Sequence, residues 1–105
     1  MKTPESLLKE DLKKYLDEQG IMWFMVPGRA GGTLGAPDII TCVDGLFVGI
    51  EAKTPTGKFS GWQITRKAQI EACGGIDLFI RSTEQLVEAI EELRRNGKEK
   101  QNETE

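Results

Sequence analysis

Apolar residues along the chain recur either with the spacing of a helix or in the short runs typical of strands. These two patterns divide the chain into seven predicted elements. Three segments place apolar residues three and four positions apart, as amphipathic helices do, and four shorter segments have the apolar runs of strands. Turn and cap residues separate them. In chain order the pattern predicts a helix at 4–19, strands at 21–26, 37–43 and 46–53, a helix at 61–73, a strand at 76–80 and a helix at 83–97.

Residues that favour helix ends bound each predicted helix. The predicted N-caps are Thr3, Ser60 and Ser82, and the predicted stops are Gly20, Gly74 and Gly97. The sequence contains no internal repeat and no linker. The order α-β-β-β-α-β-α therefore predicts one α/β domain over residues 1–97, with a mixed sheet flanked by helices, and a disordered polar tail at 98–105.

The turn between the second and third strands determines which residues face each other. Asp44-Gly45 is typical of a two-residue hairpin loop. Partners across that hairpin have residue numbers that sum to 89, so Asp38 would lie directly opposite Glu51. A four-residue loop centred on the same pair keeps this register, whereas a three-residue loop would break it. Because side chains alternate along a strand, Lys53 would share the face of Glu51.

Two carboxylates at opposed positions repel each other, since their Cβ atoms lie roughly 4.5–5.5 Å apart. A divalent cation with oxygen ligands would relieve that repulsion. The alternative is that Glu51 and Lys53 form a solvated ion pair on the wet face of the sheet, with Asp38 capping a turn. The same face also carries Ile40 and Phe47, which indicates that it is partly covered and favours the cation.

The amino-acid composition narrows the chemistry. The chain has no histidine, which excludes histidine-based triads, general bases and metal sites. A metal would be a hard cation such as Mg²⁺, Mn²⁺ or Ca²⁺, and a general base would be a carboxylate, a lysine or a metal-bound water. Cys42 and Cys73 lack a CxxC spacing and are expected to be buried free thiols.

Charge and hydropathy bear on location and partners. No apolar run approaches the length of a membrane span, and the N-terminal residues lack the apolar stretch of a signal peptide, so we expect a cytoplasmic protein. The net charge of −3 argues mildly against simple nucleic-acid binding. The acidic excess lies in the first helix, the last helix and the tail, which leaves residues 26–81 able to meet a polyanion.

Two further polar residues and one loop have both a structural and a functional interpretation. Glu5 lies on the apolar stripe of the first helix, but a carboxylate in a first helical turn is also favourable by itself. Gln63 lies early in the second helix, where glutamine is commonly a surface residue. The Gly-rich loop at 27–36 is either a flexible turn or a DNA-facing loop, and it is not a P-loop because no G-K-[ST] follows.

Taken in order, these features resemble the VRR-NUC branch of the PD-(D/E)xK nuclease superfamily, in its short, stand-alone, virus-type form. The motifs are a glutamate fifteen residues before the glycine that ends the first helix, then G-x-P-D, then an apolar strand ending in E-x-K, and then a helix that begins near a glutamine and ends at a glycine. Here they are Glu5 with Gly20, residues 35–38, residues 51–53, and Gln63 with Gly74. The resemblance covers residues 5–82 and implies a restriction-endonuclease-like core.

The resemblance also implies a metal-dependent DNA endonuclease. Asp38, Glu51 and the backbone carbonyl of Ala52 would ligate Mg²⁺ or Mn²⁺. Lys53 would orient or deprotonate the attacking water and help to neutralise the phosphate. Glu5 would hold a metal-bound water or a second ion. This chemistry agrees with the absence of histidine, since a metal both acidifies bound water and stabilises charge on phosphate oxygens.

The remaining implied roles concern DNA. Gln63 would orient Lys53 or the scissile phosphate, and Gly49, on the same face, would leave room for that phosphate. The expected DNA-binding residues are Arg29, Lys58, Arg66, Lys67 and Arg81. Short stand-alone members of the branch look like viral or mobile-element proteins that act as homodimers on branched DNA such as Holliday junctions. The expected partners are therefore junction DNA and a second copy of the chain, with no membrane and no small-molecule cofactor beyond the metal.

Two hypotheses from other classes compete with this one. The order α-β-β-β-α also describes double-stranded RNA-binding modules, which bind without catalysis; such a module has no use for Asp38 opposite Glu51. A structural or partner-binding domain would carry Glu51 and Lys53 as an exposed ion pair.

Overall fold

The computed structural model describes residues 2–27 and 34–103. Its elements follow the predicted order α-β-β-β-α-β-α. They are α1 (Pro4–Glu18), β1 (Trp23–Met25), β2 (Ile39–Val43), β3 (Leu46–Ala52), α2 (Gly61–Ala72), β4 (Ile76–Ile80) and α3 (Thr83–Glu103). Most of the Gly-rich loop, including Arg29, lies outside the described residues.

The three helices begin where side chains satisfy free backbone N–H groups. Thr3 caps α1 as predicted. Ser60 and Gln63 form a reciprocal capping box at the start of α2. At the start of α3, the Ser82 hydroxyl accepts a hydrogen bond from the Gln85 N–H at 3.3 Å. An N-cap of this kind typically stabilises a helix by about 1 kcal/mol, which explains why each helix begins at these residues.

The four strands form one mixed sheet in the order β1-β2-β3-β4. The β1–β2 and β2–β3 pairs are antiparallel, and the β3–β4 pair is parallel. Helix α2 makes the crossover that a parallel pair requires. Strand β3 therefore has one partner fixed by a tight turn and another fixed by a helical connection.

The β2–β3 turn has the predicted two-residue form. The Asp44-Gly45 residues both have positive φ angles, of 50° and 86°, as a type I′ hairpin requires. The resulting register pairs Ile39 with Ile50. The next position outward is Asp38 against Glu51, so the predicted register is confirmed.

One face of the sheet, which carries Ile39, Val48 and Ile50, forms the hydrophobic core. Helices α1 and α3 cover this face and pack against each other. The fully buried helical side chains are Leu12, Leu16, Leu86 and Ile90. Burial of aliphatic side chains on this face therefore joins both helices to the sheet.

Helix α2 covers only part of the opposite face. It packs over β4, where the Lys67 ammonium lies 5.0 Å from the centre of the Phe79 ring. Elsewhere this face is open: Phe24 on β1 is 51% exposed, and Phe47 near the start of β3 is 41% exposed. Strand β3 runs between the covered and open parts of this face.

Several predicted boundaries differ from the structure, and the largest differences are in β1, β2 and α3, with β2 beginning at Ile39 rather than at residue 37. Strand β1 is limited to Trp23–Met25, shorter than the predicted 21–26. Helix α3 continues past the predicted stop at Gly97 to Glu103, so residues 98–103 are helical rather than a disordered tail. Lysine, glutamate and glutamine favour helices, and a glycine inside a helix costs only about 1 kcal/mol, which the flanking residues can offset.

The cysteine prediction is half right. Cys42 and Cys73 are free thiols, but both are exposed rather than buried. Cys42 lies on the open part of the sheet, and Cys73 follows the last turn of α2. In the described residues, no helix has both the length and the apolar character needed to cross a membrane.

Candidate functional site

The end of β3 brings Glu51 and Lys53 to one face of the sheet. Glu51 is fully buried, whereas the Lys53 side chain is 30% exposed. The Lys53 N–H donates to the carbonyl of Ile80 at 3.0 Å, which continues the pairing with β4 beyond the last residue of β3. Strand alternation therefore holds through Lys53, as predicted, and it aims a buried acid and a partly exposed base in the same direction.

Asp38 is fastened to the same end of β3. Its Oδ2 accepts a hydrogen bond from the Ala52 N–H at 2.8 Å. Its backbone carbonyl accepts another from the Val26 N–H at 3.1 Å, which ties the residue to the end of β1. The Asp38 carboxylate is thereby held beside the Glu51 position, with its second oxygen free of this bond.

The first two turns of α1 reach the site with an acid, Glu5, and a base, Lys9. The Lys53 Nζ lies 3.7 Å from Glu5 Oε1, and the Lys9 Nζ lies 3.7 Å from Glu5 Oε2 and 3.6 Å from Asp38 Oδ1. These are loose ion pairs rather than short hydrogen bonds. Glu5 was predicted here, and Lys9 was not, although its spacing of four residues from Glu5 places it on the same helical face.

A fourth carboxylate, Asp77, was not among the predicted site residues. Asp77 pairs with Gly49 across the parallel β3–β4 ladder. Its side chain is completely buried and lies on the face that carries Glu51. The site therefore contains four carboxyl groups, on Glu5, Asp38, Glu51 and Asp77, and the lysines paired with them are Lys9 and Lys53.

The two buried carboxyl groups lack hydrogen-bond partners. Both oxygens of Glu51 and both oxygens of Asp77 are buried without a donor. Burial, followed by the nearby Asp77 and Asp38 carboxyls, raises the pKa of Glu51 to about 9, while the Gln63 amide acts in the opposite direction. Burial also raises the pKa of Asp77, whereas hydrogen bonding from the Glu51 carboxyl and then the Lys67 ammonium act to lower it. In the absence of a cation the pair therefore favours a bound proton.

An oxygen-held divalent cation fits this donor set. Unpartnered buried carboxyl oxygens are rare in native proteins and are commonly explained by an ion or a water. Within residues 2–27 and 34–103, no group of three or more Asp, Glu, Cys or His side chains is arranged to hold a metal ion. Mg²⁺ does not require such a group, because it is usually held by one or two carboxylates together with waters and substrate phosphates.

Gln63 has a structural role in addition to its position near the site. Its Oε1 accepts a hydrogen bond from the Ser60 N–H at 2.7 Å and so completes the capping box of α2. The side chain is close enough to Glu51 to favour its charged form, without completing a hydrogen bond to it. The cap fixes the amide where it can act on Glu51.

Gly49 leaves room for protein atoms rather than for the predicted phosphate. A Cβ at this position would lie 2.6 Å from Pro37 Cγ and 2.7 Å from Asp77 Oδ1. Such contacts are too close for any side chain. The glycine thus allows Asp77 and the proline of G-x-P-D to meet over β3.

Three of the five predicted DNA-binding residues use their charged groups in contacts within the chain. The Arg81 guanidinium donates to the carbonyls of Thr54 at 2.7 Å and Gly57 at 2.6 Å and lies 5.0 Å from the centre of the Phe59 ring. It therefore holds the loop that follows Lys53.

Helix α2 carries two more of these residues. The Lys67 ammonium donates to the backbone carbonyl of Asp77 and pairs with Glu71 at 2.9 Å. Arg66 donates to Gln69 at 2.9 Å and to the Leu34 carbonyl at 3.3 Å. By contrast, Lys58 is exposed, on the same loop that Arg81 holds.

The mixed sheet, its flanking helices and the carboxylates and lysines at the end of β3 place the chain in the class of restriction-endonuclease-like α/β domains. Among solved structures, it is similar to one described as "VRR_NUC domain", with a TM-score of 0.72 and 20% sequence identity over 86% of this chain and 97% of that chain. No family model and no curated protein matches the sequence. The predicted fold is thereby confirmed.

Proposed function

We propose that the chain is a metal-dependent DNA endonuclease that hydrolyses phosphodiester bonds and prefers branched DNA such as Holliday junctions. The observation that carries the proposal is the buried, unpartnered Glu51 carboxylate, flanked by Asp38 and Lys53, in a nuclease-type fold. A buried carboxylate without a donor is costly unless a cation joins it. The absence of histidine leaves such a cation as the strongest route to phosphodiester hydrolysis.

The proposed mechanism divides the work among the site residues. Bound Mg²⁺ or Mn²⁺ would acidify a water and stabilise charge on the phosphate oxygens. The ion would be held by Glu51, the free oxygen of Asp38 and the Ala52 carbonyl. Lys53 orients or deprotonates the attacking water and neutralises charge on the phosphate.

The residues around this centre position it. Glu5 lies within 3.7 Å of the Lys53 ammonium and thus restrains it, besides being able to hold a water of the ion or a second ion. Gln63, fixed by its cap, orients Lys53 or the scissile phosphate. Lys9 offers a further positive charge beside Asp38.

The proposals for DNA binding and for dimerisation rest on the net charge and the small size of the chain. A single small domain of net charge −3 offers little surface for a polyanion. A homodimer would present two copies of the basic middle region to one junction. Arg29 and Lys58, with Arg66, Lys67 and Arg81 where their protein contacts leave donors free, would contact phosphates.

One assay tests the proposal. Purified protein is incubated with duplex, flap and four-way-junction DNA in Mn²⁺, Mg²⁺ or EDTA, beside Asp38→Asn and Lys53→Ala. Matched controls are Asp44→Asn in the exposed hairpin turn and Lys14→Ala on the exposed side of α1. We expect cleavage that requires the metal, is strongest on the junction, and falls at least about 10²-fold in the two site variants only.

The alternatives give different outcomes. Cleavage in EDTA, or cleavage that survives both site substitutions, would contradict the mechanism. Retained DNA binding without cleavage of any substrate would instead favour the non-catalytic binding module.

A further inference from the structure

Asp77 is the buried charged residue that the proposed mechanism leaves unused. It lies on the edge strand β4, with no exposed surface and with neither carboxyl oxygen hydrogen-bonded. Its strand, β4, contributes no other acid to the site. A buried carboxyl group in this state destabilises the fold unless another component of the site compensates it.

The surroundings of Asp77 hold its carboxyl group toward Glu51. The residue pairs with Gly49 in the parallel ladder, and its Oδ1 occupies the space that a side chain at Gly49 would need. Glu51 follows Gly49 by two positions and so shares its face. The two buried carboxyl groups therefore lie on one face of adjoining strands, two positions apart along the ladder.

The nearest cation does not neutralise this carboxyl group by direct contact. The Lys67 ammonium binds the backbone carbonyl of Asp77 and pairs with Glu71. Both carboxyl groups are thus buried on the same face of the sheet without a hydrogen-bond donor. Two acceptors that share a buried space need a positive species between them.

We propose that Asp77 is a ligand of the divalent cation held by Glu51, so that β3 and β4 each supply one carboxylate. Asp77 would thus extend the ligand set proposed above, in which no residue of β4 takes part. The ion would then have the Glu51 and Asp77 carboxylates from neighbouring strands beside that of Asp38, with backbone carbonyls and waters completing its oxygen shell. The inference rests on the proposed function only in requiring that the ion binds here.

Metal binding without DNA or turnover tests the assignment. Metal-free, full-length protein is titrated with Mn²⁺ alone, and the unbound ion is measured by electron paramagnetic resonance. The variants are Asp77→Asn and Glu51→Gln, which keep side-chain shape and remove charge, with Asp44→Asn as the matched control. We expect Mn²⁺ affinity to fall at least about ten-fold in both site variants and to be unchanged in the control.

The outcomes separate this inference from the proposed function. Normal Mn²⁺ affinity in Asp77→Asn, together with a loss in Glu51→Gln, overturns the role of Asp77 and leaves the nuclease mechanism standing. Failure of the unaltered protein to bind Mn²⁺ overturns both. Equal weakening by Asp44→Asn shows nonspecific surface binding and also overturns the assignment.

A measurement on the unaltered chain covers the case in which Asp77→Asn does not fold. Crystals of the protein soaked in Mn²⁺ are examined by anomalous diffraction at the manganese edge. The ion is expected about 2.1 Å from an Asp77 carboxyl oxygen, as is typical of small divalent cations. An ion bound by Glu51 but beyond coordination distance of Asp77 contradicts the assignment.

Discussion

The two faces of the sheet treat buried polar groups in opposite ways. On the core face, Thr41 is almost completely buried, and its hydroxyl donates to the Val48 carbonyl at 2.8 Å. On the site face, Glu51 and Asp77 are completely buried and have no hydrogen-bond partner. The core face thus satisfies this buried hydroxyl within the chain, whereas the site face leaves two buried carboxyl groups without a donor. Unpartnered buried groups therefore distinguish the candidate site face from the core face.

The largest expected change in stability comes from the core face. Leu86→Ala should lower the free energy of unfolding by about 2–5 kcal/mol, because it removes a fully buried side chain and leaves a cavity. Urea denaturation measures the loss. The control is Leu7→Ala, since Leu7 is 48% exposed and should cost little. Equal losses in the two variants would contradict the placement of the core.

On the site face, a buried carboxyl group is expected to make the stability of the fold depend on pH. The pKa of Glu51 is raised from 4.5 in its ordinary state to about 9 in the folded protein. As pH rises above 4.5, the unfolded chain releases this proton while the folded chain keeps it, so folding loses stability progressively up to about pH 9. The melting temperature in EDTA should therefore fall by several degrees between mildly acidic and mildly alkaline pH. Saturating Mn²⁺ should remove this fall. An unchanged pH dependence with Mn²⁺ would contradict the proposal that the ion binds at Glu51.

Glu51→Gln should abolish much of that pH dependence. At alkaline pH and without metal, the variant should be more stable than the unaltered protein, because the amide carries no buried charge and can donate to Asp77. At acidic pH the two should be nearly equal. Chemical denaturation at both pH values measures the difference, with Asp44→Asn as control. A variant that is less stable at both pH values would show that Glu51 has a structural role.

The smallest expected effect concerns the hydrogen bond on the core face. Thr41→Val keeps the side-chain shape but removes the donor to the Val48 carbonyl, and it should cost about 1 kcal/mol. Urea denaturation measures it against Thr65→Val, a change at an exposed position of α2. A stabilising effect of Thr41→Val would show that the two faces do not differ in the way described.

The confirmed parts of the fold depend on local signals. The turn residues at 44 and 45 set the hairpin register and hence the approach of Asp38 to Glu51. The caps placed the helix starts correctly. The resemblance of the motifs led to the fold that structural comparison confirms. The turn and cap signals lie within a few residues of the features they determine.

The features that were missed depend on contacts between distant segments. Asp77 reaches Glu51 through a parallel pairing whose register is fixed by the packing of α2, and no turn sequence encodes that register. The exposed position of Cys42 depends on how much of the sheet α2 covers. Lys9 is different, because its spacing from Glu5 was visible in the sequence and could have revealed it.

Arg81 connects the end of β4 with the backbone that follows Lys53. It donates to the carbonyls of Thr54 and Gly57, at 2.7 Å and 2.6 Å. Removing the Arg81 side chain would free this backbone to move and would displace Lys53 from its position in the site. Loss of activity in Arg81→Ala would therefore not show that Arg81 contacts DNA. Lys58→Ala, on the exposed side of the same loop, is the variant whose loss of binding would report on the nucleic acid itself.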